Sequence, residues 1–269
     1  MEVQLPEVSR SSLSSFYGYE YEGVYLNADQ TIARDANGNK IYTYNSRGER
    51  EPVYMRFNYP TTDYTFQAGD AKYKDQNHDG NINEQDVVYL GNGMPLFTGG
   101  FGFNIRYKAF TLNTFFNFRY GNDVVNLAKA NLESMTGFGN QAISVLRRWR
   151  HEYTDDEIAA GSVPSDLLPR ACYSSSTTYN SLPSSRYVED GSFLRFKTAT
   201  LSWTMPKDWL QGTFISDARF YIQASNIWCW SKYEGMDPEI SIWNATNPGY
   251  DYANTPRSRD YTLGINLKF

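Results

Sequence analysis

The sequence predicts an all-β chain: antiparallel strands of a transmembrane β-barrel, joined by long loops that hold short helices. Three observations carry this. The last eleven residues, Arg259 to Phe269, alternate between apolar and polar side chains up to the final position. Four further stretches of similar length alternate in the same way. The connections between these stretches are short and long in turn, as in outer-membrane barrels, where turns are short on one side and loops long on the other.

The terminal stretch sets Tyr261, Leu263, Ile265, Leu267 and Phe269 on one face and Thr262, Gly264, Asn266 and Lys268 on the other. This is the two-residue period of a strand with one apolar face. Phe97 to Tyr107 alternates Phe101, Phe103, Ile105 and Tyr107 against Gly100, Gly102, Asn104 and Arg106. Phe110 to Gly121 sets Phe110, Leu112, Phe116, Phe118 and Tyr120 against Thr111, Asn113, Asn117 and Arg119. Phe193 to Met205 alternates at its end but loses phase near Lys197, where a bulge is expected. Arg219 to Trp228 places Phe220, Ile222, Ala224 and Trp228 opposite Arg219, Gln223 and Ser225. A half-buried strand of a soluble sandwich alternates equally well, so the connections decide.

Only Lys108 and Ala109 separate the first two strands, which demands a tight hairpin. A modest link with Pro206, Trp209 and Gly212 joins the third and fourth. The other connections, about 122–191 and 231–258, are long, and 1–96 forms a loop region ahead of the five strands of 97–269. With Phe269 at the periplasmic side, all three long segments fall outside the cell. Tyr107, Trp203 and Phe269 then lie near one membrane interface and Tyr120, Trp228 and Trp230 near the other, where amphipathic rings prefer to sit. Gly100, Asn104, Arg106, Asn113, Asn117, Arg119, Gln223, Asn266 and Lys268 line the lumen. Within the loops, Asp123 to Met135 has helical spacing with Asp123 as its cap, Gln141 to Glu152 reads as a second short helix bearing Arg147, Arg148 and Arg150, and Thr154 to Glu157 has the form of a capping box. The Ser/Thr-rich run from Ser174 to Ser185 is expected to be mobile.

Composition narrows the class. Aromatic residues make up 16% of the 269, with 22 Tyr and 16 Phe, which favours β structure. A net charge of -5 argues against broad nucleic-acid binding, which needs a basic face. No stretch reaches the roughly 18 apolar residues of a membrane helix, a criterion to which barrel strands are not subject. Met1 to Pro6 has neither the charge nor the apolar run of a signal peptide, so the chain is expected to be a cleaved or separately encoded part, or a portion of a longer one. Cys172 and Cys229 are expected to be free thiols, since two cysteines make no disulfide framework.

The sharpest local motif is Asp75-Gln-Asn-His-Asp-Gly-Asn-Ile-Asn-Glu-Gln-Asp86. Counting from Asp75, oxygen-bearing side chains stand at the first, third and fifth places (Asp75, Asn77, Asp79). Gly80 turns the loop, Asn81 offers its carbonyl, Ile82 packs inward and Asp86 closes it. That is the ligand spacing of an EF-hand-like calcium loop, with Asp in place of the usual closing Glu. The alternative is a turn held by Asx hydrogen bonds. No catalytic set emerges: His78 and His151 have no evident nucleophile partner, and Asp155 and Asp156 look solvated, so no enzyme is expected. Two rival readings remain. One is a soluble calcium-dependent binding or adhesion module. The other is a secreted sugar-processing enzyme, which needs paired carboxylates on a concave face that the sequence does not offer.

Several blocks resemble a known family. Ser15-Phe-Tyr-Gly-Tyr-Glu-Tyr-Glu-Gly-Val-Tyr25 is similar to a segment of the SusC/RagA-type TonB-linked outer-membrane proteins of Bacteroidetes. So are Ala68 to Asp75 running into the acidic loop, Gly99 to Asn122, Tyr187 to Lys197, and Tyr221 to Asn226. The order is the family's, from about Ser15 to Phe269. The ending Thr262-x-Gly264-x-x-Leu267-x-Phe269 resembles the signal by which the barrel assembly machinery recognises a client strand. The resemblance implies the C-terminal strands of a plugged 22-stranded barrel that imports oligosaccharides or peptides. It also implies a SusD-like lipoprotein outside and TonB inside. Plug, TonB-contacting end and the remaining strands are expected to belong to the rest of the same barrel, because five strands alone leave open edges that lipid does not tolerate.

Overall fold

The computed structural model describes residues 14–173, 178–239 and 248–269. By internal contact the chain divides into two units, each discontinuous in sequence.

The first unit, built on Asn92–Val125 and Glu189–Phe269, is dominated by one antiparallel meander. Its strands are β1 (Phe97–Tyr107), β2 (Phe110–Tyr120), β3 (Phe193–Thr204), β4 (Asp217–Ser231) and β5 (Asp260–Lys268), paired in that order. The five expected strands are therefore all present. Lys108 and Ala109 form the tight turn between β1 and β2, with Lys108 at φ 53°. Cross-strand partners share a face, so the register assigns the two sides. One row reads Tyr107, Phe110, Trp203, Phe220, Ile265, and the next reads Ile105, Leu112, Leu201, Ile222, Leu263. The opposite face carries Arg106, Thr111, Ser202, Tyr221, Gly264 and then Asn104, Asn113, Thr200, Gln223, Thr262.

The bulge expected near Lys197 is there. Lys197 is the extra residue of β3, between Phe196 and Thr198, which pair with the adjacent Phe116 and Phe115 of β2; the pairing with β4 shifts at the same place, where Asn226 takes φ 51°. The extra residue restores the phase lost in the sequence pattern. It brings Phe196 into the apolar row beside Phe116, their rings stacked at 4.4 Å, with Phe101 at 5.1 Å on the other side of Phe116. Such stacked cross-strand pairs hold a register as well as filling space.

The second unit, Ser15–Gly91 with Asn126–Val188, has strands of only 2–5 residues. Its order comes from an aromatic core. Tyr19, Tyr25, Phe57, Phe66, Tyr73 and Ile82 are buried together, and Tyr179 and Leu182 pack against them from the far segment. Tyr179 stacks on Phe57 at 4.5 Å, and its carbonyl accepts the Tyr73 hydroxyl at 2.8 Å. Whereas the sequence divides in order at 96/97, contact joins 126–188 to 15–91.

Two helices depart from the sequence pattern. Asp123–Asn126 is a strand, because the β-branched pair Val124 and Val125 favours extended pairing and Val124 is buried. Asn126, not Asp123, caps α1 (Leu127–Leu132), its side chain accepting the Lys129 N–H at 2.9 Å. The second expected helix is reduced to one 3-10 turn, Ile143–Arg147, since Trp149 and Leu168 pair instead, N to O, at 2.8 Å. Arg147 ion-pairs with Asp166 at 2.7 Å on the surface. The capping box forms as expected, with Thr154 and Glu157 bonding reciprocally at the start of α2 (Asp155–Ala159), and these bonds hold the Glu157 carboxyl below its ordinary range. Cys172 and Cys229 are free. Of the Ser/Thr-rich run, 174–177 lies outside the described residues.

Candidate functional site

The sheet presents two chemically opposed faces. Ile105, Leu201, Ile222, Leu263 and Ile265 stand exposed on one, with Leu263 at 81% of its full exposure. A contiguous apolar surface of this kind demands a nonpolar surrounding. The other face is a wall of amides, hydroxyls and arginines. Among the described residues, β1 and β5 each pair on one edge alone.

A charged cluster on the polar face ties the last loop to β3. Arg195, almost fully buried, pairs with Asp237, and its Nε lies 3.0 Å from Glu239. Glu239 also meets Lys197 at 3.3 Å and Arg257 at 3.1 Å. Tyr233 donates to Asp251 at 2.6 Å; burial first, and then this bond, pushes its hydroxyl pKa well up. No sequence spacing announced this cluster, whose partners Arg195 and Asp237 are 42 residues apart.

The terminal strand holds three of the four residues read as an assembly signal, and Phe269 follows it directly. Thr262 lies opposite Gln223, Gly264 opposite Tyr221 and Leu267 opposite Ala218. Phe269 stacks on Phe214 at 5.7 Å, ring planes 14° apart.

The acidic loop folds on its own hydrogen bonds. Asp75 accepts the Gly80 N–H at 2.8 Å, Asn77 the Asp79 N–H at 3.1 Å, and Asp79 the Asn81 N–H at 2.7 Å. Gly80 turns at φ 85°, where a side chain is strained, and Asn81 pairs with Arg56 in a parallel bridge. Asp86 is fully buried, and its two oxygens accept the N–H groups of Gln76 at 2.8 Å and Asn83 at 2.9 Å. Burial raises its carboxyl pKa, the two backbone bonds oppose that rise, and the nearby charges of Asp75 and Asp79 add to it. These are oxygen donors of the kind calcium takes, yet the closing carboxylate is turned onto backbone. No group of three His, Cys, Asp or Glu side chains among the described residues is placed to hold a metal ion.

No family model matches the sequence. Known proteins nevertheless do. TonB-dependent receptor P3 of Formosa agariphila is 28% identical over 96% of this chain and 22% of its own length. TonB-dependent receptor P26 of the same organism is 34% identical over 75% of this chain and 20% of its own length. TonB-dependent receptor SusC of Bacteroides thetaiotaomicron is 31% identical over 31% of this chain and 8% of its own length. The fold matches the solved RagAB peptide transporter with a TM-score of 0.61 at 21% identity, over 95% of this chain and 23% of that one. The chain belongs to the SusC/RagA-type TonB-dependent receptors. It spans about a fifth of the length of the curated relatives P3 and P26.

Membership in these receptors explains the two faces. The strands are those of a large transmembrane barrel, so the apolar face is lipid-facing and the polar face turns inward. Residues read as lumen-lining from the sequence, such as Asn104, Arg106, Asn113 and Gln223, share that inward face.

Proposed function

We propose that this chain forms part of the wall and outer loops of a TonB-dependent outer-membrane importer of oligosaccharides or peptides. It works with a SusD-like surface lipoprotein and draws energy through TonB. Its terminal strand, with Thr262, Gly264, Leu267 and Phe269, is presented to the barrel assembly machinery, and the chain's end lies at the periplasmic side. The observation that carries this reading is the two-faced meander with open edges, a structure stable only when lipid covers one side and further strands the edges. The names of the relatives support import, and that of RagAB supports peptides as one cargo class. The sorting of short turns to one side of the sheet and long segments to the other supports the orientation.

The experiment is paired. The whole receptor, expressed with its natural neighbours, is fractionated with and without detergent, and uptake of labelled peptides and oligosaccharides is measured in cells with and without TonB. Recovery from membranes only in detergent, with TonB-dependent uptake of one class, is expected. Recovery in plain buffer would instead favour the soluble calcium-dependent module.

A further inference from the structure

We propose that Gly264 is a seat for the ring of Tyr221, and that this contact sets the register of the terminal strand as the barrel closes. The proposal rests on the membrane reading above and goes beyond it. It makes Tyr221, outside the terminal motif, a positioning residue for assembly.

Tyr221 and Gly264 are direct partners across β4 and β5, on the inward face. The Cζ, Cε1 and hydroxyl oxygen of Tyr221 occupy the space where a Cβ on Gly264 would stand. Backbone conformation does not call for glycine here, since Gly264 is not among the residues at positive φ. A glycine inside a strand weakens it unless something uses the gap, and the ring uses it.

The arrangement recurs. The five strands contain four glycines: Gly99, Gly100, Gly102 and Gly264. Gly99 lies directly opposite Phe118, whose ring comes within 3.0 Å of an added Cβ, and the ring of Phe115 comes within 2.7 Å of one on Gly100. Neither glycine is at positive φ. Three of four strand glycines thus receive an aromatic ring from the neighbouring strand, so the seat on Gly264 is a repeated device.

Alternation leaves a gap that this device fills. A slip of one residue turns every side chain to the wrong face and is strongly opposed. A slip of two residues keeps both faces intact, so the apolar pattern does not prevent it. Such a slip would set Tyr221 against Thr262 or Asn266, whose side chains exclude the ring. Gly264 alone among these inward positions of β5 lets Tyr221 lie flat, which makes one register better than its neighbours.

The test uses the whole receptor in its own outer membrane. Gly264→Ala, Tyr221→Ala, Tyr221→Phe and the double variant Tyr221→Ala with Gly264→Ala are compared by the fraction that runs as a folded, heat-modifiable barrel. Register is read by disulfide trapping between cysteines placed at Gln223 and Thr262, which are partners in the native pairing. Gly264→Ala is expected to lower folded barrel and in-register trapping several-fold. Removing the ring in the double variant relieves the clash and restores folded barrel toward the wild-type level, whereas in-register trapping stays low both there and in Tyr221→Ala, and Tyr221→Phe behaves as wild type. A double variant with as little folded barrel as Gly264→Ala, a Tyr221→Ala that traps in register as the wild type does, or a Gly264→Ala that assembles normally, overturns the proposal. A wild-type receptor that needs no detergent would overturn the membrane reading instead, so the two failures are distinct.

Discussion

Arg170 donates from Nε to the carboxylate of Asp70 at 2.7 Å across 100 residues of sequence, and Asp70 is fully buried. The same carboxylate accepts the Tyr64 hydroxyl at 2.6 Å and the Gln67 N–H at 2.9 Å. This bond closes 126–188 onto the aromatic core of the second unit. Replacing Arg170 by Ala leaves a buried carboxylate without its cation, a change that costs roughly 2–4 kcal/mol after allowing for the partly exposed guanidinium. The expected result is faster protease cleavage within 126–188 in the whole receptor. Cleavage at the wild-type rate would show that the aromatic packing holds this segment without the ion pair.

Alkaline pH should loosen the same unit. Burial is the largest cause that pushes the hydroxyls of Tyr19 and Tyr21 up to about 12, and it raises Tyr25 and Tyr73 as well. A tyrosine whose folded pKa exceeds its unfolded value adds stability below the unfolded value, about 10, and loses it as pH rises through the folded one. Stability of the second unit should therefore hold to about pH 10 and fall as pH rises toward about 12. Phenolate absorbance, followed together with near-ultraviolet circular dichroism, checks it: late-ionising tyrosines should ionise together with loss of the dichroic signal. A single early ionisation step would contradict the burial of these rings.

Gly80 is the backbone pivot of the acidic loop. It sits at φ 85°, and a Cβ there would come within 2.9 Å of the Ala33 Cβ. Gly80→Ala should destabilise the unit by more than about 1 kcal/mol, seen as a lower unfolding midpoint. An unchanged midpoint would mean that the turn can be remade without positive φ.

Calcium remains our proposal for the loop, with Asp75, Asn77, Asp79, the Asn81 carbonyl and Asp86 as its oxygen ligands. Added calcium is expected to raise the unfolding midpoint, and the pair Asp75→Ala and Asp79→Ala to abolish that rise. A midpoint indifferent to calcium and to chelator would assign the loop to its hydrogen bonds alone.

The strands were legible because their signal is local. Two-residue alternation from Phe97 to Tyr107 or from Asp260 to Lys268 needs no knowledge of the partner strand, and even the bulge at Lys197 announced itself as a break in phase. The second unit was not legible in this way. Its strands are too short to show a period, and its order rests on distant pairs such as Tyr73 with Tyr179 and Asp70 with Arg170. The cap at Asn126 was hidden because Asp123 is an equally good cap by residue type, and only the burial of Val124 in an extended segment decides between them. The Arg195–Asp237–Glu239 cluster required a folded loop to bring its members together.

One face of the sheet meets lipid, and the other does not. The most direct measurement places single spin labels at consecutive positions of β5 in the whole receptor, in membranes, and records accessibility to a lipid-soluble and a water-soluble relaxing agent. Labels at 261, 263 and 265 should respond to the lipid-soluble agent, and labels at 262, 264 and 266 should not, following the alternation of the strand. Equal access of the water-soluble agent to 261, 263 and 265 would show that this face does not meet lipid.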